Sequence, residues 1–224
     1  MRGPPTGADR PVSGNRPTAR RDANGARLQM RALELSLPTR QTTVTAMKVW
    51  TVDGNATHLA ELSRIVADVE WVSAPLTAAY STAAPNPAQR AKDKLMALGS
   101  LLGPTVAEAC DVTTVEGKSL QLELDSENDK RFCRWFRQTP AILIVSVAYT
   151  QPGNDIMVST ATTPGFIAEK PAGSAHHGWE RLFVLEGDGR TLAQQLDAGE
   201  AVGPRVDLYA HVVGELNRLA QAQR

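Results

Sequence analysis

An aromatic residue and an acid stand side by side at Trp179 and Glu180, in a polar stretch that follows Pro171 and Gly173. An indole ring can stack on a flat ligand such as a nucleobase, while the neighbouring carboxylate accepts hydrogen bonds from N–H groups of that base. A core tryptophan beside a surface glutamate would give the same pattern. The pair therefore indicates a base pocket, with a purely structural role as the alternative.

A second candidate is the turn Asp53-Gly54-Asn55, which separates a short β-type run from an apolar helical pattern starting at Leu59. A tight turn from a strand into a helix leaves the first amide groups of the helix without helical partners, and such groups suit the oxygens of an oligophosphate. His58 falls in the first turn of this helix. Asp-Gly-Asn is also a common solvent-exposed turn, so the signal is not specific by itself.

Hydrophobic periodicity predicts the elements that would position these residues. The apolar patterns alternate between strand-like and helix-like, without an internal repeat, which indicates a mixed α/β domain. Strands are predicted over 48–52, 69–72, 106–112, 141–149, 156–162 and 166–168, and helices over 59–66, 91–102, 125–137 and 207–222.

Composition fits one domain with a sizeable core, because 42% of the 224 residues are hydrophobic. The formal net charge of zero conceals an asymmetry: residues 1–46 carry eight Arg against three acids, and the remainder is acidic. An acidic globular part argues against nucleic-acid binding, and the longest apolar run, nine residues at 141–149, is too short to cross a bilayer. Cys110 and Cys133 are too few for a disulfide framework, so we expect reduced thiols in a cytoplasmic protein.

Residues 1–46 are rich in Arg, Pro, Gly, Thr and Ala and lack hydrophobic periodicity, so we expect them to be disordered. Two explanations are open. The segment could be a transit peptide, or it could lie upstream of the true start at Met47, which strand signals follow immediately. The predicted domain is 47–224.

The stretch 165–192 resembles the signature of the inosine triphosphate pyrophosphatase family, which hydrolyses non-canonical purine nucleoside triphosphates. That signature reads G-x-I-x-x-x-P-x-G-x-x-G-[YW]-D-P-x-F, with a helix start at Thr-x-Ala-Glu downstream. Glu180 stands in place of the Asp. The residues that match in register are Gly165, Ile167, Pro171, Gly173, Gly178, Trp179, Phe183 and Thr191.

Three further segments are similar to the family pattern, and each departs from it. In [ST]-G-N-x-x-K-x-x-E-[LI], the matching residues are Gly54, Asn55, Glu61 and Leu62. Asp53 and His58 replace the hydroxyl residue and the Lys. A helix lysine corresponds to Lys94 and a strand-end acid to Asp111. Of a final Ser-His-Arg motif only His211 remains, and a loop acid has no counterpart in 76–89.

The resemblance, which spans 47–222, implies an elongated mixed β-sheet flanked by helices, with two lobes, a central cleft and a homodimer. It implies Mg²⁺-dependent hydrolysis of a nucleoside triphosphate to the monophosphate and pyrophosphate. Lys94 and Asp111 would be catalytic, and Asp111 would hold Mg²⁺ or orient water. The substrate-binding residues implied in this way are Asp53, Asn55, His58, Trp179, Glu180 and His211.

The departures leave two alternatives open. A nucleotide-binding protein without turnover would bind nucleotides and hydrolyse none. A hydrolase diverged towards another nucleotide would prefer a different substrate, such as a monophosphate or a modified nucleoside.

Overall fold

A computed structural model of the chain describes residues 46–52, 54–75, 86–120, 126–174 and 178–223, with the side chains of 126 and 127 left out. Its centre is a six-stranded sheet in the order β2-β1-β3-β4-β5-β6. β1 runs parallel to β2 and to β3, and the other neighbours are antiparallel. The strands are β1 (Met47–Val52), β2 (Val69–Ala74), β3 (Thr105–Thr114), β4 (Pro140–Thr150), β5 (Met157–Ile167) and β6 (Phe183–Leu185).

The helices cover the sheet from both sides, which confirms the predicted mixed α/β sheet flanked by helices. α2 packs through Ala91 and Leu95 against Ala107 and Ala109 of β3, while the larger core cluster receives the other helices. Residues of a strand alternate between the two faces, so Val106 and Val112 lie on the opposite face. The helices are α1 (Ala56–Ile65), α2 (Pro87–Met96), α3 (Ser126–Phe136), α4 (Leu192–Asp197) and α5 (Arg205–Ala222).

β1 and β3 are paired at only two positions, Trp50 with Thr105 and Thr51 with Val106. Further along β3, on the edge that faces away from β4, the carbonyl oxygen of Val112 accepts a backbone hydrogen bond from Leu120. Between these points no strand of the described ranges pairs with this edge of β3, and we call this stretch the open edge of β3.

Two predicted boundaries were wrong. The strands predicted over 156–162 and 166–168 form the single strand β5, which passes through Pro164. Ile167 bonds towards β4, so the alternation along β5 turns the Pro164 nitrogen away from β4. β6 pairs with β5 only at 165–167, so in the described part of the chain the missing N–H costs no ladder bond. The second predicted helix ends at Met96 rather than at 102, and Leu102 is 72% exposed.

The residues of 165–192 that carry the family resemblance shape the fold. A Cβ at Gly165 would lie 2.2 Å from the carbonyl oxygen of Val184, so only glycine allows β5 and β6 to approach this closely. Gly173 has φ +85°, and a Cβ there would lie 2.6 Å from the Cβ of Ala193 in α4. Thr191 caps α4 in a reciprocal arrangement with Gln194, as the predicted helix start requires.

In the described ranges, every helix is too short or too polar to cross a membrane. The predicted disordered tail lies almost wholly outside the described residues, as does Asp53, so those expectations stay predictions.

Candidate functional site

The topology indicates at which end of the sheet a ligand would bind. From β1 the chain crosses through α1 to β2 on one side, and it then continues through α2 to β3 on the other side of β1. In open α/β sheets, ligands bind in the crevice at the carboxyl ends of strands where the strand order reverses in this way. Here that position lies beyond Val52, beside the open edge of β3.

The β1–α1 turn ends in a well-formed helix start. Asn55 is the N-cap of α1, and its Oδ1 accepts a hydrogen bond of 2.8 Å from the His58 N–H. The amides of Ala56 and Thr57 precede the first helical hydrogen bond, and both residues are exposed. The structure thus places the Asn55 side chain as a cap, while the helix start itself keeps the geometry that suits an anion.

A buried ionic cluster lies behind this turn, on the α1 and α5 face of the sheet. Its centre is the guanidinium of Arg205, the first residue of α5, which is 5% exposed. Around it lie carboxylates from three different elements, a tyrosine and a histidine. We call this set the Arg205 cluster: Arg205, Glu61 of α1, Glu108 of β3, Glu180 of the 3-10 turn Gly178–Arg181, Tyr209 and His58.

The contacts of Arg205 are short and divide among the three acids. Nη1 lies 2.6 Å from Glu180 Oε1 and 3.5 Å from Glu61 Oε1. Nη2 and Nε lie 2.6 and 3.0 Å from Glu108 Oε1, and Nε also lies 2.9 Å from Glu108 Oε2. Tyr209 donates from Oη to Glu108 Oε2 at 3.1 Å. Glu108 is therefore held by a fork of charge-assisted hydrogen bonds.

Burial and pairing act in opposite directions on the three acids. Burial by itself would raise the pKa of Glu108, but the charge and hydrogen bonds of Arg205 lower that pKa to about 2. For Glu61, burial again acts to raise the pKa, but the neighbouring His58 and Arg205 outweigh it and the pKa is lowered. For Glu180, burial outweighs Arg205 and raises the pKa. Glu108 is thus held ionised, while Glu180 binds a proton more readily than an ordinary glutamate.

Lys94 reaches the same place along the open edge of β3. Its Nζ lies 3.0 Å from the backbone carbonyl oxygen of Glu108, and the Arg90 guanidinium lies 3.0 Å from that of Cys110. Both carbonyls belong to the part of the edge that β1 leaves unpaired. Glu108 therefore links the two parts of the site: its backbone carbonyl contacts Lys94, and its carboxylate contacts Arg205.

Asp111 lies on the opposite face of β3 from Glu108, because the two residues are three positions apart on one strand. Its Oδ1 accepts from the Val112 N–H and its Oδ2 from Ser119 Oγ, each at 2.8 Å. The Arg90 guanidinium is 3.7 Å away. The role of Asp111 as metal ligand stays a prediction, and this arrangement does not support it.

Trp179 is a core residue in this structure, 6% exposed, with its ring in an edge contact to Phe132 at 5.6 Å. The adjacent Glu180 is turned inward to Arg205. The base-binding roles predicted for both residues remain untested, and their burial does not favour them. His211 is exposed on α5, away from the buried face that carries Tyr209, so the structure does not bring it to the cluster.

The sequence prediction did not assign site roles to Glu61 or Glu108. Glu61 matched the family motif, which was a usable signal. Glu108 interrupts an alternating apolar pattern on the face of Val106 and Val112, and a charge at such a position calls for a partner. Arg205 is 97 residues away from Glu108 along the chain, so no local pattern links the two.

The described residues do not offer a divalent ion an open set of ligands. No group of three or more His, Cys, Asp and Glu side chains in the described ranges is arranged as a metal site. The carboxylates that do converge enclose the Arg205 guanidinium instead. One oxygen each of Glu61 and Glu180 is nevertheless buried without a hydrogen-bond partner in the described part of the chain.

This is the fold of solved Ham1 proteins. The Ham1 protein of Coxiella burnetii is 17% identical, with 75% of this chain and 99% of that chain covered and a TM-score of 0.56. The Staphylococcus aureus Ham1 protein is 14% identical, with 79% and 100% covered and a TM-score of 0.55. A Mycobacterium abscessus protein named nucleoside-triphosphatase / dITP/XTP pyrophosphatase is 20% identical, with 79% and 98% covered and a TM-score of 0.44.

The comparison with protein families places the protein among the hydrolases. The sequence profile of the Ham1 family matches residues 94–201, a range that includes Lys94, Glu108 and Glu180. Over these residues the chain is similar to the Ham1 family, which confirms the resemblance to inosine triphosphate pyrophosphatases. It matches no curated protein sequence.

Proposed function

We propose that this protein hydrolyses a non-canonical purine or modified nucleoside triphosphate to the monophosphate and pyrophosphate. The observation that carries the proposal is the convergence of α1, β3, the 3-10 turn and α5 at the switch point of a Ham1 fold. A helix start, a lysine and several acids are the groups that this hydrolysis needs, because it depends on positioned charge more than on covalent chemistry.

The phosphates would lie between the start of α1 and the open edge of β3. The amides of Ala56 and Thr57 would face phosphate oxygens, and Lys94 would neutralise part of their charge from the side of β3. Lys94 is positioned for this by its bond to the Glu108 carbonyl, which fixes its ammonium group at the edge.

Glu108 would orient the attacking water. Its low pKa keeps it ionised at neutral pH, and its side chain is 12% exposed, which makes it more accessible than the side chains of Glu61 and Glu180. Glu180, with its raised pKa, would take up a proton more readily than Glu61 or Glu108, whose pKa values are lowered.

Mg²⁺ belongs to the proposal as the ion that the family resemblance implies. When bound, it would supply charge neutralisation for the phosphates. Mg²⁺ is often held by one or two carboxylates together with the phosphates of a substrate. We derive no step through the ion, since the cluster in its present arrangement encloses a guanidinium.

The proposal includes a homodimer in the cytoplasm, without nucleic-acid or membrane partners. The resemblance supports the dimer, and the acidic composition of residues 47–224 supports the absence of nucleic acid. Size-exclusion chromatography with light scattering tests the dimer directly.

The activity is tested with a panel of canonical, deaminated and modified nucleotides in the presence of Mg²⁺, with pyrophosphate and phosphate measured separately. We expect pyrophosphate and a monophosphate from at least one triphosphate. Phosphate release alone, or hydrolysis of monophosphates only, would indicate the diverged hydrolase. Binding without any product would indicate the nucleotide-binding alternative.

A further inference from the structure

A cavity lies between α3 and the turn at 114–119, at the far end of β3. Its volume is about 360 Å³, which is within the size range of small-molecule binding sites. Thr114, which lines it, is the last residue of β3 and lies six positions beyond Glu108, roughly 20 Å along the strand. The cavity is therefore separate from the Arg205 cluster.

Aromatic side chains of α3 form one wall of this cavity, which we call the Trp135 pocket. The rings of Phe132 and Phe136 lie 4.7 Å apart at an angle of 32°, and Phe132 is buried. Trp135 borders the pocket and is 70% exposed. Leu120, which follows the turn, adds a further apolar side chain. This lining offers ring faces and edges to a flat aromatic ligand.

Two cations line the Trp135 pocket, and no acid is among its described lining residues. The cations are Lys118 of the turn and Arg131 of α3. Arg131 Cζ lies 6.0 Å from the centroid of the Trp135 ring, within reach of a cation–π contact that holds the charge beside the ring. Arg134 is a further exposed cation on α3, whereas residues 47–224 as a whole are acidic. The pocket is thus a basic place on an acidic domain, and its charge attracts anions.

We propose that the Trp135 pocket binds a small aromatic anion, such as an aromatic carboxylate or a nucleoside monophosphate. The ring of the ligand would stack on Trp135, and its anionic group would pair with Arg131 and Lys118. A second copy of the chain fits less well, because it would have to insert an aromatic ring and an acid together into a concave site of this size. The proposal does not depend on the proposed hydrolase function, since the described lining residues include none of the groups assigned to the triphosphate.

The probe is 2-naphthoate, and isothermal titration calorimetry with the full-length protein measures its binding. We expect saturable binding at one site per chain. 2-Naphthamide has the same rings without the charge, and it should bind about fivefold more weakly, the effect of losing exposed ion pairs. Absence of naphthoate binding, or equal affinities for the two compounds, would overturn the proposal.

Substitutions in α3 locate the site. We expect naphthoate to bind about tenfold more weakly to Trp135→Ala, a usual effect of removing a stacking ring, and about fivefold more weakly to Arg131→Gln. Arg134→Gln is the matched control, because Arg134 is an exposed cation of the same helix outside the pocket lining. It should bind naphthoate as the unmodified chain does. A loss in Arg134→Gln as large as that in Arg131→Gln, or unchanged binding by Trp135→Ala, would overturn the proposal.

Guanosine monophosphate distinguishes the two sources of the ligand. Since the proposed site beside α1 would also accept a nucleotide, only binding that Trp135→Ala weakens is assigned to the Trp135 pocket. Weaker binding of guanosine monophosphate by this variant would identify the ligand as a nucleotide. Unchanged binding of the nucleotide, together with weakened binding of naphthoate, would identify it as an aromatic carboxylate.

Circular dichroism and light scattering separate loss of the pocket from other effects of the substitutions. Because Trp135 is largely exposed, we expect Trp135→Ala to keep the fold and the melting temperature of the unmodified chain. A Trp135→Ala protein that is monomeric where the unmodified chain is dimeric would show that this surface is an interface between copies, and would overturn the proposal. If Trp135→Ala does not fold, Arg131→Gln and Lys118→Gln, which change exposed residues, test the pocket through its charge. Unchanged naphthoate binding by both would then overturn the proposal.

Discussion

At the scale of single residues, Glu108 is the point where the parts of the site meet. Its carbonyl contacts Lys94 and its carboxylate contacts Arg205 and Tyr209. Asp111, only three positions away, lies on the other face of the same strand and is engaged by Ser119 and the Val112 amide. Two acids only three residues apart on β3 therefore lie in different environments, on opposite faces of the sheet.

This geometry predicts different effects for two conservative substitutions on β3. We expect Glu108→Gln to lower kcat by about a hundredfold or more, because it removes the charge proposed to orient water. We expect Asp111→Asn to change kcat by less than about tenfold. Pyrophosphate release under saturating nucleotide measures both, with circular dichroism to confirm folding. If Asp111→Asn has the larger effect, the sequence-based assignment of Asp111 is right and the Arg205 cluster is not the catalytic centre.

Trp179 offers a second test at this scale. Because its ring packs in the core against Phe132, we expect Trp179→Ala to reduce the free energy of unfolding by about 3–5 kcal/mol. Nucleotide affinity, measured per folded molecule, should change little. Urea denaturation measures the free energy of unfolding, and nucleotide titration measures the affinity. A normal unfolding midpoint combined with affinity weakened by about 1–3 kcal/mol would establish the base-stacking role instead.

At the scale of the elements, the segment 165–192 brings Glu180 to Arg205. Gly165 allows β5 and β6 to approach each other closely, and Gly173 lies against α4. Thr191 is the N-cap of α4. The buried side chains of Leu182 and Phe183 anchor the 3-10 turn and β6 in the core. The residues of the signature therefore hold the elements in place, and Glu180 reaches the ionic cluster as a consequence.

Two glycine substitutions separate backbone strain from steric overlap. Gly173 and Gly187 have nearly equal φ values, +85° and +83°, but only Gly173 has a close neighbour, Ala193. We expect Gly187→Ala to cost about 1 kcal/mol from the unfavourable φ alone. Gly173→Ala should cost at least about 2 kcal/mol more, because α4 must shift. Thermal and urea denaturation measure both, and equal losses would show that the contact with α4 is unimportant.

At the scale of the whole molecule, the Arg205 cluster ties together elements that are distant in the chain. Glu61 and Arg205 are 144 residues apart, and Glu108 and Arg205 are 97 apart. The cluster connects α1, the central strand β3 and the closing helix α5 on one face of the sheet. Loss of its charges should therefore affect global stability.

Acid should destabilise the protein through this cluster. The pKa of Glu108 falls from 4.5 to about 2 on folding, so its ionised form stabilises the native state above pH 4.5, and that stabilisation disappears as the pH falls towards 2. The loss is at most about 3 kcal/mol for Glu108 alone. Glu61 acts in the same direction, whereas Glu180, with its raised pKa, offsets part of the loss.

Urea denaturation at a series of pH values between 7 and 2 measures this effect. We expect the free energy of unfolding to fall below about pH 5. In Glu108→Gln the fall should be smaller, because the group that titrates is gone. An identical pH dependence in the two proteins would show that Glu108 is not paired as described.

The sequence by itself predicted the α/β class, the family resemblance and most of the elements, although it divided β5 into two strands and did not predict β6. Those properties follow from local signals: periodicity at β1 and α1, the cap at Thr191, and glycines whose neighbours in the fold allow no side chain. Pro164 misled the prediction because its effect depends on which edge of β5 its nitrogen faces, and only the pairing of β4, β5 and β6 decides that.

Only the tertiary structure decided the composition of the site. Glu61, Glu108, Glu180 and Arg205 lie on four elements, and their contacts depend on how the sheet reverses its order at β1 and on where α5 returns. The sequence identified Glu180 as part of a site but could not determine whether it faces a ligand or the interior. Burial fixes that direction, because a carboxylate excluded from water must find a positive partner, and Arg205 was available only after the chain had folded.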